Sequence, residues 1–387
     1  MSGQPSTVSE FPEWPQYGDE ERTGLIRALE QGQWWRMGGS EVDSFEREFG
    51  DYHGSPHALA VTNGTHALEV ALEVLGVGPG TEVIVPAFTF ISSSLAAQRL
   101  GAVAVPVDVD LDTYCVDPAA VEAAITPRTK VIMPVHMAGQ FADMDALDKL
   151  AADAGVALLQ DAAHAQGAQW RGRRAGALGS VAAFSFQNGK LMTAGEGGAV
   201  VFPDEELRER AFLVHSCGRP RTDREYLHST TGSNYRMSEF TAAVLRAQLT
   251  RLDEQIALRE QRWPLLSSLL AEIPGVVPQA TDPRTDRNPH YMAMFRIPGI
   301  GIERRRAVVD ALIARGVPAF VAFRAIYRCE GFWKAGAPDE SVEEIAARCP
   351  NTEQIHSDCL WLHHRTLLGT EQQMHEIAAV LADILAG

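Results

Sequence analysis

The sequence predicts an α/β protein with a mostly parallel sheet, followed by a smaller α+β region. Short apolar runs typical of buried strands alternate with stretches in which apolar residues recur at helical spacing. Such alternation favours a parallel sheet with helices on both of its faces. The alternation stops near residue 273, and from there the pattern changes. We therefore predict a large domain over residues 1–264, which includes an N-terminal arm, and a smaller domain over residues 265–387.

Each predicted element has its own local signal. The helix over 65–75 places Leu68, Ala71, Leu72 and Leu75 on one face, and the glycine-rich segment 76–80 ends it. The predicted strands of the large domain are 57–62, 82–86, 103–108, 129–135 and 156–161. The predicted helices between them are 65–75, 92–100, 118–124 and 144–154. A hairpin at 166–180, a long helix at 238–270, a strand at 290–297 and helices at 302–315 and 369–386 complete the prediction.

The bulk composition limits the kinds of partner. The chain has 387 residues, 45% of them hydrophobic, which is enough for two substantial cores. A net charge of −16 argues against nucleic acid and against an anionic membrane surface. No apolar run approaches the ~20 residues that cross a bilayer, and the polar segment 1–10 does not resemble a signal peptide. We predict a cytoplasmic protein that acts on a small molecule.

The cysteines and histidines give no reason to expect a metal site. The five cysteines are widely spaced and form no CxxC pair, which favours free thiols in a reducing compartment. The adjacent residues His363 and His364 resemble a metal-binding pair in composition. Because neighbouring residues on a strand point to opposite faces, we expect that these two do not share a ligand.

Polar and aromatic side chains follow several predicted strands, at the edge where an open α/β sheet binds ligands. The residues in these positions are Asn63, Phe88, Phe90, His136, Asp161 and Lys190. Asn63-Gly64-Thr65 opens a helix, Asp161 ends a strand, and Lys190 closes a polar turn. A protein that holds pyridoxal phosphate (PLP) supplies these three elements. The lysine forms a Schiff base, the carboxylate pairs with the pyridine nitrogen, and the helix N-terminus takes the phosphate.

Each of these residues also has a simpler interpretation. An Asn-Gly-Thr segment is a common turn, and an aspartate at a strand end often caps the next helix. A single lysine is more often a solvated surface residue, and Phe88 and Phe90 could belong to the core. The spacing favours the cofactor interpretation, because about one hairpin of chain separates Asp161 from Lys190. The glycines at 195–198 permit tight backbone next to that lysine.

Longer motifs make a family resemblance specific. The chain resembles the DegT/DnrJ/EryC1/StrS family of fold-type I PLP enzymes, usually called sugar aminotransferases, over nearly its whole length. Fold type I is the aspartate aminotransferase-like fold. The motifs that carry the resemblance are Asn63-Gly64-Thr65, Pro86-Ala87-Phe88-Thr89-Phe90, Asp161-Ala162-Ala163-His164-Ala165, Ser185-Phe186 with Lys190, Gly195-Glu196-Gly197-Gly198 and Gly232-Ser233-Asn234-Tyr235-Arg236-Met237.

The resemblance implies a role for each matched residue. Lys190 would carry the cofactor, Asp161 would pair with the pyridine nitrogen, and Phe90 would stack on the ring. His164 would lie near the ring hydroxyl. The phosphate would be bound by Gly64, Thr65 and Ser185, and Asn234 would reach the phosphate of the neighbouring subunit, because the family forms its active site across a homodimer interface. Taken alone, Ser185 could also be an ordinary strand serine and Asn234 an ordinary turn residue.

Several segments depart from the sugar-directed members. Most of those carry Ser-Phe-His before the lysine, whereas this chain has Ser185-Phe186-Gln187-Asn188-Gly189-Lys190. The segments 33–39, 322–328 and 359–365 also differ. These variants resemble a narrower branch of the family, the 3-amino-5-hydroxybenzoate synthases of ansamycin- and mitomycin-type antibiotic pathways.

The branch resemblance implies dehydration and aromatisation of 5-amino-5-deoxy-3-dehydroshikimate. The alternative is a transaminase that uses glutamine to aminate a keto-sugar nucleotide, a keto-cyclitol or 3-dehydroshikimate. Arg219 and Arg324 are candidates for binding a substrate carboxylate, although a surface or interdomain salt bridge is an equally acceptable role for each.

Overall fold

The computed structural model describes residues 7–387. Its strands are β1 (Ala58–Val61), β2 (Glu82–Pro86), β3 (Val103–Val107), β4 (Thr129–Ile132), β5 (Ala157–Asp161), β6 (Gln169–Trp170), β7 (Arg173–Arg174), β8 (Val181–Ser185), β9 (Gly198–Val201), β10 (Val277–Pro278), β11 (Met292–Arg296), β12 (Ala319–Val321) and β13 (Cys359–His363).

The helices alternate with the strands through most of the chain. They are α1 (Asp19–Glu30), α2 (Glu41–His53), α3 (Gly64–Val74), α4 (Ser92–Arg99), α5 (Pro118–Ala124), α6 (Met144–Ala154), α7 (Glu205–His215), α8 (Glu239–Ala271), α9 (Gly301–Ala314), α10 (Val342–Arg348), α11 (Pro350–Asp358) and α12 (Glu371–Ala386).

A seven-stranded sheet with the order β1-β9-β8-β5-β4-β2-β3 forms the centre of the fold. The pairs β3–β2, β2–β4, β4–β5 and β5–β8 are parallel, and β9 runs antiparallel to both of its neighbours. The strands are buried almost throughout because helices cover both faces. The predicted α/β class with a mostly parallel sheet is therefore confirmed.

A second, antiparallel sheet has the order β10-β11-β13-β12 and packs against the C-terminal part of α8, α9 and α12. Val8 and Phe11 of the N-terminal segment also belong to its apolar core. The boundary that the sequence predicts, between 264 and 265, falls within α8, which continues through Pro264 to residue 271. The two-domain division itself stays a prediction.

Most sequence-predicted elements occur at their expected places. The helices at 118–124 and 144–154 and the strand at 82–86 have the predicted bounds, and the hairpin in 166–180 is the β6–β7 pair. The strand predicted over 129–135 ends earlier, at Ile132. Within residues 7–387, no helix combines the length and apolar character needed to cross a membrane. The absence of a signal peptide was predicted from residues 1–10, and the first six of these lie outside the described residues.

Candidate active site

A cavity of about 540 Å³ lies at the carboxyl ends of β1, β2, β5 and β8, where open α/β sheets bind ligands. It has the size of a small-molecule or cofactor site. Of the eight residues to which the family resemblance assigns a role, seven line it, namely Gly64, Thr65, Phe90, Asp161, His164, Ser185 and Lys190. The four-stranded sheet closes the cavity from the other side with Tyr291 and Phe323.

The first turn of α3 forms one end of this cavity. The first amides of any helix have no intrahelical acceptor. Asn63 caps α3 by accepting a hydrogen bond from one of them, the His66 amide, at 2.9 Å, and the amides of Gly64 and Thr65 remain available. The backbone of Gly64 passes so close to Ser185 that a Cβ at residue 64 would lie 2.6 Å from the Ser185 Cβ. The Thr65 hydroxyl donates to the Ser92 hydroxyl at 2.9 Å. Free amides and hydroxyl groups are therefore concentrated where an anion would be favoured.

Asp161 ends β5 and is 7% exposed. Its carboxylate accepts hydrogen bonds from the Ser93 hydroxyl at 2.9 Å and from the Ala163 amide at 3.2 Å. Burial raises its pKa above the ordinary value, and the hydrogen bonds and the positive charge of Lys190 oppose that increase only in part. A buried carboxylate in this state is stabilised by a further cation, such as a protonated ring nitrogen.

Lys190 follows β8 at the end of a tight turn, where its amide donates to the Gln187 carbonyl at 2.8 Å. Its Nζ lies 4.5 Å from the centre of the Tyr291 ring. Burial lowers the pKa of the amine from 10.5 to about 8, and the nearby charge of Asp161 acts in the opposite direction. A sizeable fraction of the amine is therefore neutral near physiological pH, which is the form that reacts with an aldehyde.

His164 is buried beside the lysine, and its ring stacks on Tyr291 at a centroid distance of 4.4 Å. Burial and the charge of Lys190 lower its pKa well below the ordinary value, so the imidazole is neutral. The Ala138 amide donates to its Nδ1 at 3.4 Å. Because Nδ1 accepts, the proton of the neutral ring is carried by Nε2, which is then a donor.

The cavity wall of this chain does not include Phe88 or His136, nor Asn234, which was predicted to reach the neighbouring subunit. Asn234 is exposed, pairs with Ser216 through an isolated β-bridge and is absent from the cavity wall. Phe88 is fully buried in the core, and His136 is fully buried and hydrogen-bonded to Gln160. The expectation that Phe88 and His136 line the crevice is therefore wrong. The backbone turns after β2 and β4 direct their side chains inward, while Phe90, two residues after Phe88, is 57% exposed and faces the cavity.

The two arginine candidates for a substrate carboxylate do not line the cavity of this chain. Arg219 donates to Asp223 at 3.0 Å and so forms a salt bridge, which is the alternative role that the sequence allowed for it. Arg324 is exposed and follows Phe323, whose ring does line the cavity.

The expectation that His363 and His364 point to opposite faces is also wrong. Strand β13 ends at His363 and a 3-10 turn begins at His364, so strand alternation stops between them. Their ring centroids are 4.3 Å apart.

Sequence reasoning missed several cavity residues. Ser92 and Ser93 open α4 beside the cavity, and their place at the start of a predicted helix was a usable signal. Tyr291 and Phe323 carried no local signal, because they come from the ends of β11 and β12 and reach the cavity only when the second sheet packs against the first.

The side chains present in the cavity fit PLP. Gly64 is compatible with the close approach of Ser185 only because it has no side chain, and the neighbouring amides and hydroxyl groups suit a phosphate. Asp161 is buried, and the charge of Lys190 does not fully offset the rise in its pKa, so there is room for a second cation beside it. Of the chain's four lysines, Lys190 is the one that lines the cavity. This fold together with this set of groups defines a PLP-dependent enzyme.

The chain belongs to the DegT/DnrJ/EryC1/StrS aminotransferase family, whose model matches residues 16–381. It is 72% identical over 379 residues to 3-amino-5-hydroxybenzoate synthase of Amycolatopsis mediterranei (strain S699), covering 97% of this chain and 98% of that protein. A crystal structure of 3-amino-5-hydroxybenzoic acid synthase superimposes with a TM-score of 0.97 at 71% identity, covering 98% of this chain and 99% of that one. L-glutamine:2-deoxy-scyllo-inosose aminotransferase of Streptoalloteichus tenebrarius is 37% identical, with 99% of this chain and 96% of that protein covered.

Proposed function

We propose that this chain is a 3-amino-5-hydroxybenzoate synthase, a PLP-dependent lyase that dehydrates 5-amino-5-deoxy-3-dehydroshikimate to an aromatic product. The observation that carries the proposal is the 72% identity to a synthase of that name over nearly the full length of both chains. The cavity supports it, because a reactive amine, a buried carboxylate and an anion-binding helix end converge there.

PLP, when bound, supplies an aldehyde that condenses with amines and a pyridine ring that accepts the electrons released when a proton is removed beside the amine nitrogen. Asp161 would hold the positive charge on the ring nitrogen. Gly64, Thr65 and Ser185 would bind the phosphate, and Phe90 would stack on the ring.

Lys190 would move the proton. Its lowered pKa of about 8 lets the amine be neutral when a proton beside the substrate nitrogen must be removed. Such positioned acid–base catalysis contributes ~10²–10⁴-fold to a rate. The protonated lysine would then stay between Asp161 and the face of the Tyr291 ring, both of which stabilise an ammonium group.

His164 and the aromatic walls would keep the site ordered and dry. The neutral ring of His164 offers the N–H of Nε2 as a donor, which suits a ring hydroxyl oxygen of the cofactor. Tyr291 and Phe323 place apolar surface over the cavity and would exclude water from the reacting atoms. Elimination of the substrate hydroxyl as water, followed by tautomerisation of the ketone, would give an aromatic ring, which makes the overall reaction hard to reverse.

The active enzyme is proposed to be a homodimer that shares its active sites. Asn234, exposed and outside the cavity of its own chain, would contact the phosphate of the neighbouring subunit. Trp34 and Trp35 are each about half exposed in the single chain, as expected of residues that a second copy would cover. A cytoplasmic location and the division into a cofactor domain and a smaller C-terminal domain complete the proposal.

The proposal is tested by incubating the PLP-loaded protein with 5-amino-5-deoxy-3-dehydroshikimate and no amino donor. Product is followed by absorbance and mass. We expect 3-amino-5-hydroxybenzoate in molar excess over enzyme. A protein that stays loaded with PLP and forms no product over repeated trials contradicts the lyase assignment.

Transamination is the second candidate, favoured by the family's description and by the 37% identical glutamine-dependent aminotransferase. In that case glutamine alone would convert the bound cofactor to its amine form, which is visible as a change in absorbance. A protein with both activities would give product in the first assay and the absorbance change in the second.

A further inference from the structure

The turn that carries Lys190 is held at three consecutive carbonyl groups. The Lys190 amide donates to the carbonyl of Gln187 at 2.8 Å. The indole N–H of Trp14 donates to the carbonyl of Asn188 at 3.1 Å. The Nε2 of His364 lies 3.1 Å from the carbonyl oxygen of Gly189. One bond is local, but the other two come from the N-terminal segment and from the end of β13, so widely separated parts of the chain converge on this turn.

Arg259 determines which nitrogen of His364 carries the proton. The guanidinium Nη2 of Arg259 lies 3.1 Å from Nδ1 of His364. Because a guanidinium only donates, Nδ1 must accept and the ring proton must be on Nε2. Burial and the positive charge of Arg259 also lower the pKa of His364 well below its ordinary value, so the ring is neutral. The contact therefore makes Nε2 a donor to the Gly189 carbonyl.

This arginine is an expensive group to bury. Its side chain on α8 is fully buried, and burial lowers its pKa to about 9. Within residues 7–387 it forms no salt bridge, and its Nε and Nη1 have no hydrogen-bond partner. The Trp14 ring covers it at 5.7 Å and meets His364 edge-on at 4.5 Å. A buried cation without a carboxylate destabilises a fold, and such groups occur where function requires them.

We propose that Arg259, His364 and Trp14 are positioning residues that clamp the Lys190 turn and so fix the place of the lysine amine. The proposal rests on the proposed function in one respect, which is that Lys190 is the reacting amine. It assigns a role to His364, which lies in the segment 359–365 whose sequence differs from that of the sugar-directed enzymes. His364 is hydrogen-bonded to the lysine turn, whereas His363 accepts a hydrogen bond from the Arg365 amide.

The clamp matters because the position of the lysine amine relative to its neighbours determines how it reacts. Asp161, His164, Tyr291 and His364 interact with Lys190, and two further titratable residues, Glu196 and His66, line the same cavity. Releasing the Gly189 carbonyl would let the turn relax and move the amine relative to these groups. A displacement of about 1 Å at a reacting group can cost ~10²-fold in rate.

The test compares three variants of the full-length, PLP-loaded enzyme. His364→Leu removes the donor, and His364→Gln keeps an N–H at a similar distance. His363→Asn is the matched control, since its side-chain oxygen can still accept from the Arg365 amide. For each we would measure kcat, KM, the thermal midpoint, and the pH at which the absorbance of the lysine-bound cofactor changes.

We expect His364→Leu to lower kcat by about 10- to 100-fold, with little change in KM, and to shift the pH of the absorbance change. His364→Gln should recover most of the loss, and His363→Asn should match the parent. Parental kcat and titration in His364→Leu would overturn the proposal. So would equal loss in the Leu and Gln variants with a lowered thermal midpoint, because that pattern indicates packing alone.

The absorbance titration needs no substrate, so it separates this proposal from the proposed function. If the parent makes no aromatic product but the His364→Leu titration shifts, the clamp stands and the substrate assignment is wrong. If the parent makes product and the titration and kcat of His364→Leu are unchanged, the clamp is wrong and the function stands.

Discussion

The two sheets contribute different kinds of side chain to one cavity. The ends of the seven-stranded sheet provide the charged and hydroxyl groups, among them Asp161, Ser185 and Lys190. The four-stranded sheet provides the aromatic rings of Tyr291 and Phe323 to the cavity, and the segment after its strand β13 provides the neutral imidazole of His364 to the turn that carries Lys190. The first set is suited to bond making and proton transfer. The second set is suited to holding the first in place and keeping water away.

The same difference appears in the electrostatics. Asp161 and Lys190 perturb each other across the first sheet, and burial moves their pKa values toward each other. The second sheet has no carboxylate on the cavity wall, and it contacts the lysine through the face of the Tyr291 ring. Substitutions at the ends of the first sheet should therefore abolish turnover, whereas substitutions on the second sheet should lower kcat without abolishing turnover.

The largest effect is expected for Lys190→Ala. Loss of the amine removes the attachment point of the cofactor and the proton carrier together, so turnover should fall below detection. A loss of at least ~10²–10⁴-fold would follow from proton transfer alone. Lys149→Ala, at an exposed position paired with Asp153, is the matched control. Substantial activity in Lys190→Ala would contradict the assignment of this residue.

Asp161→Asn should have the next largest effect. The amide can keep a hydrogen bond to the Ser93 hydroxyl but cannot hold the ring nitrogen protonated, so the ring becomes a poorer electron acceptor. Each unit by which Asp161 raises the pKa of the ring nitrogen is worth about 1.4 kcal/mol, or tenfold. If Asp161 raises that pKa by two units or more, kcat should fall by ~10²-fold or more. Cofactor content is measured alongside. Ser93→Ala, which removes only the hydrogen bond, should lose much less, and equal losses would argue against a charge effect.

Gly64→Ala should weaken cofactor binding. A Cβ at this position would lie 2.6 Å from the Ser185 Cβ and 3.0 Å from its hydroxyl oxygen, so β8 and α3 must move apart. Overpacking of this kind costs ~1–3 kcal/mol, which corresponds to a loss of PLP affinity of about 5- to 150-fold in a dialysis or fluorescence titration. Gly331→Ala, where nothing lies within 4 Å, is the control. Unchanged affinity would place the phosphate elsewhere.

Tyr291 offers a comparison within the second sheet. Tyr291→Phe keeps the ring face beneath Lys190, whereas Tyr291→Leu removes it. A cation–ring contact contributes ~0.5–2 kcal/mol, so the Leu variant should lose about 10-fold in kcat and the Phe variant little. If both variants lose equally, the hydroxyl rather than the ring carries the function.

The last effect concerns stability and pH in the cofactor-free protein, where no change in turnover is involved. Burial lowers the pKa of Lys190 from 10.5 to about 8, so the unfolded chain binds more protons than the folded chain between these values. The free energy of unfolding gains a term that increases as pH rises through that window. Comparing urea denaturation of the parent with Lys190→Met isolates this term. A parent-minus-variant difference that does not change between pH 8 and 10.5 would show that the amine is not buried.

The sequence predicted the first sheet and its site far better than the second. Strand-helix alternation and strand-terminal polar residues are local signals, so Asp161, Lys190 and the Asn63–Thr65 turn could be placed without the structure. Tyr291 and His364 reach the lysine turn only because the segments next to β11 and β13 pack against it. The residues in contact are more than a hundred positions apart in the sequence, so no local pattern indicates them. The direction of Phe88 was missed for a similar reason, because its orientation depends on the core around it.

Lys190 is the residue that would carry the cofactor, and one measurement tests this directly. The PLP-loaded protein is reduced with borohydride, digested, and mapped by mass spectrometry. The other three lysines, Lys130, Lys149 and Lys334, are all exposed, so they serve as internal controls. We expect the reduced pyridoxyl group on the peptide that contains Lys190 and on no other. Its presence on a different lysine, or its absence from the Lys190 peptide of an active preparation, would contradict the account.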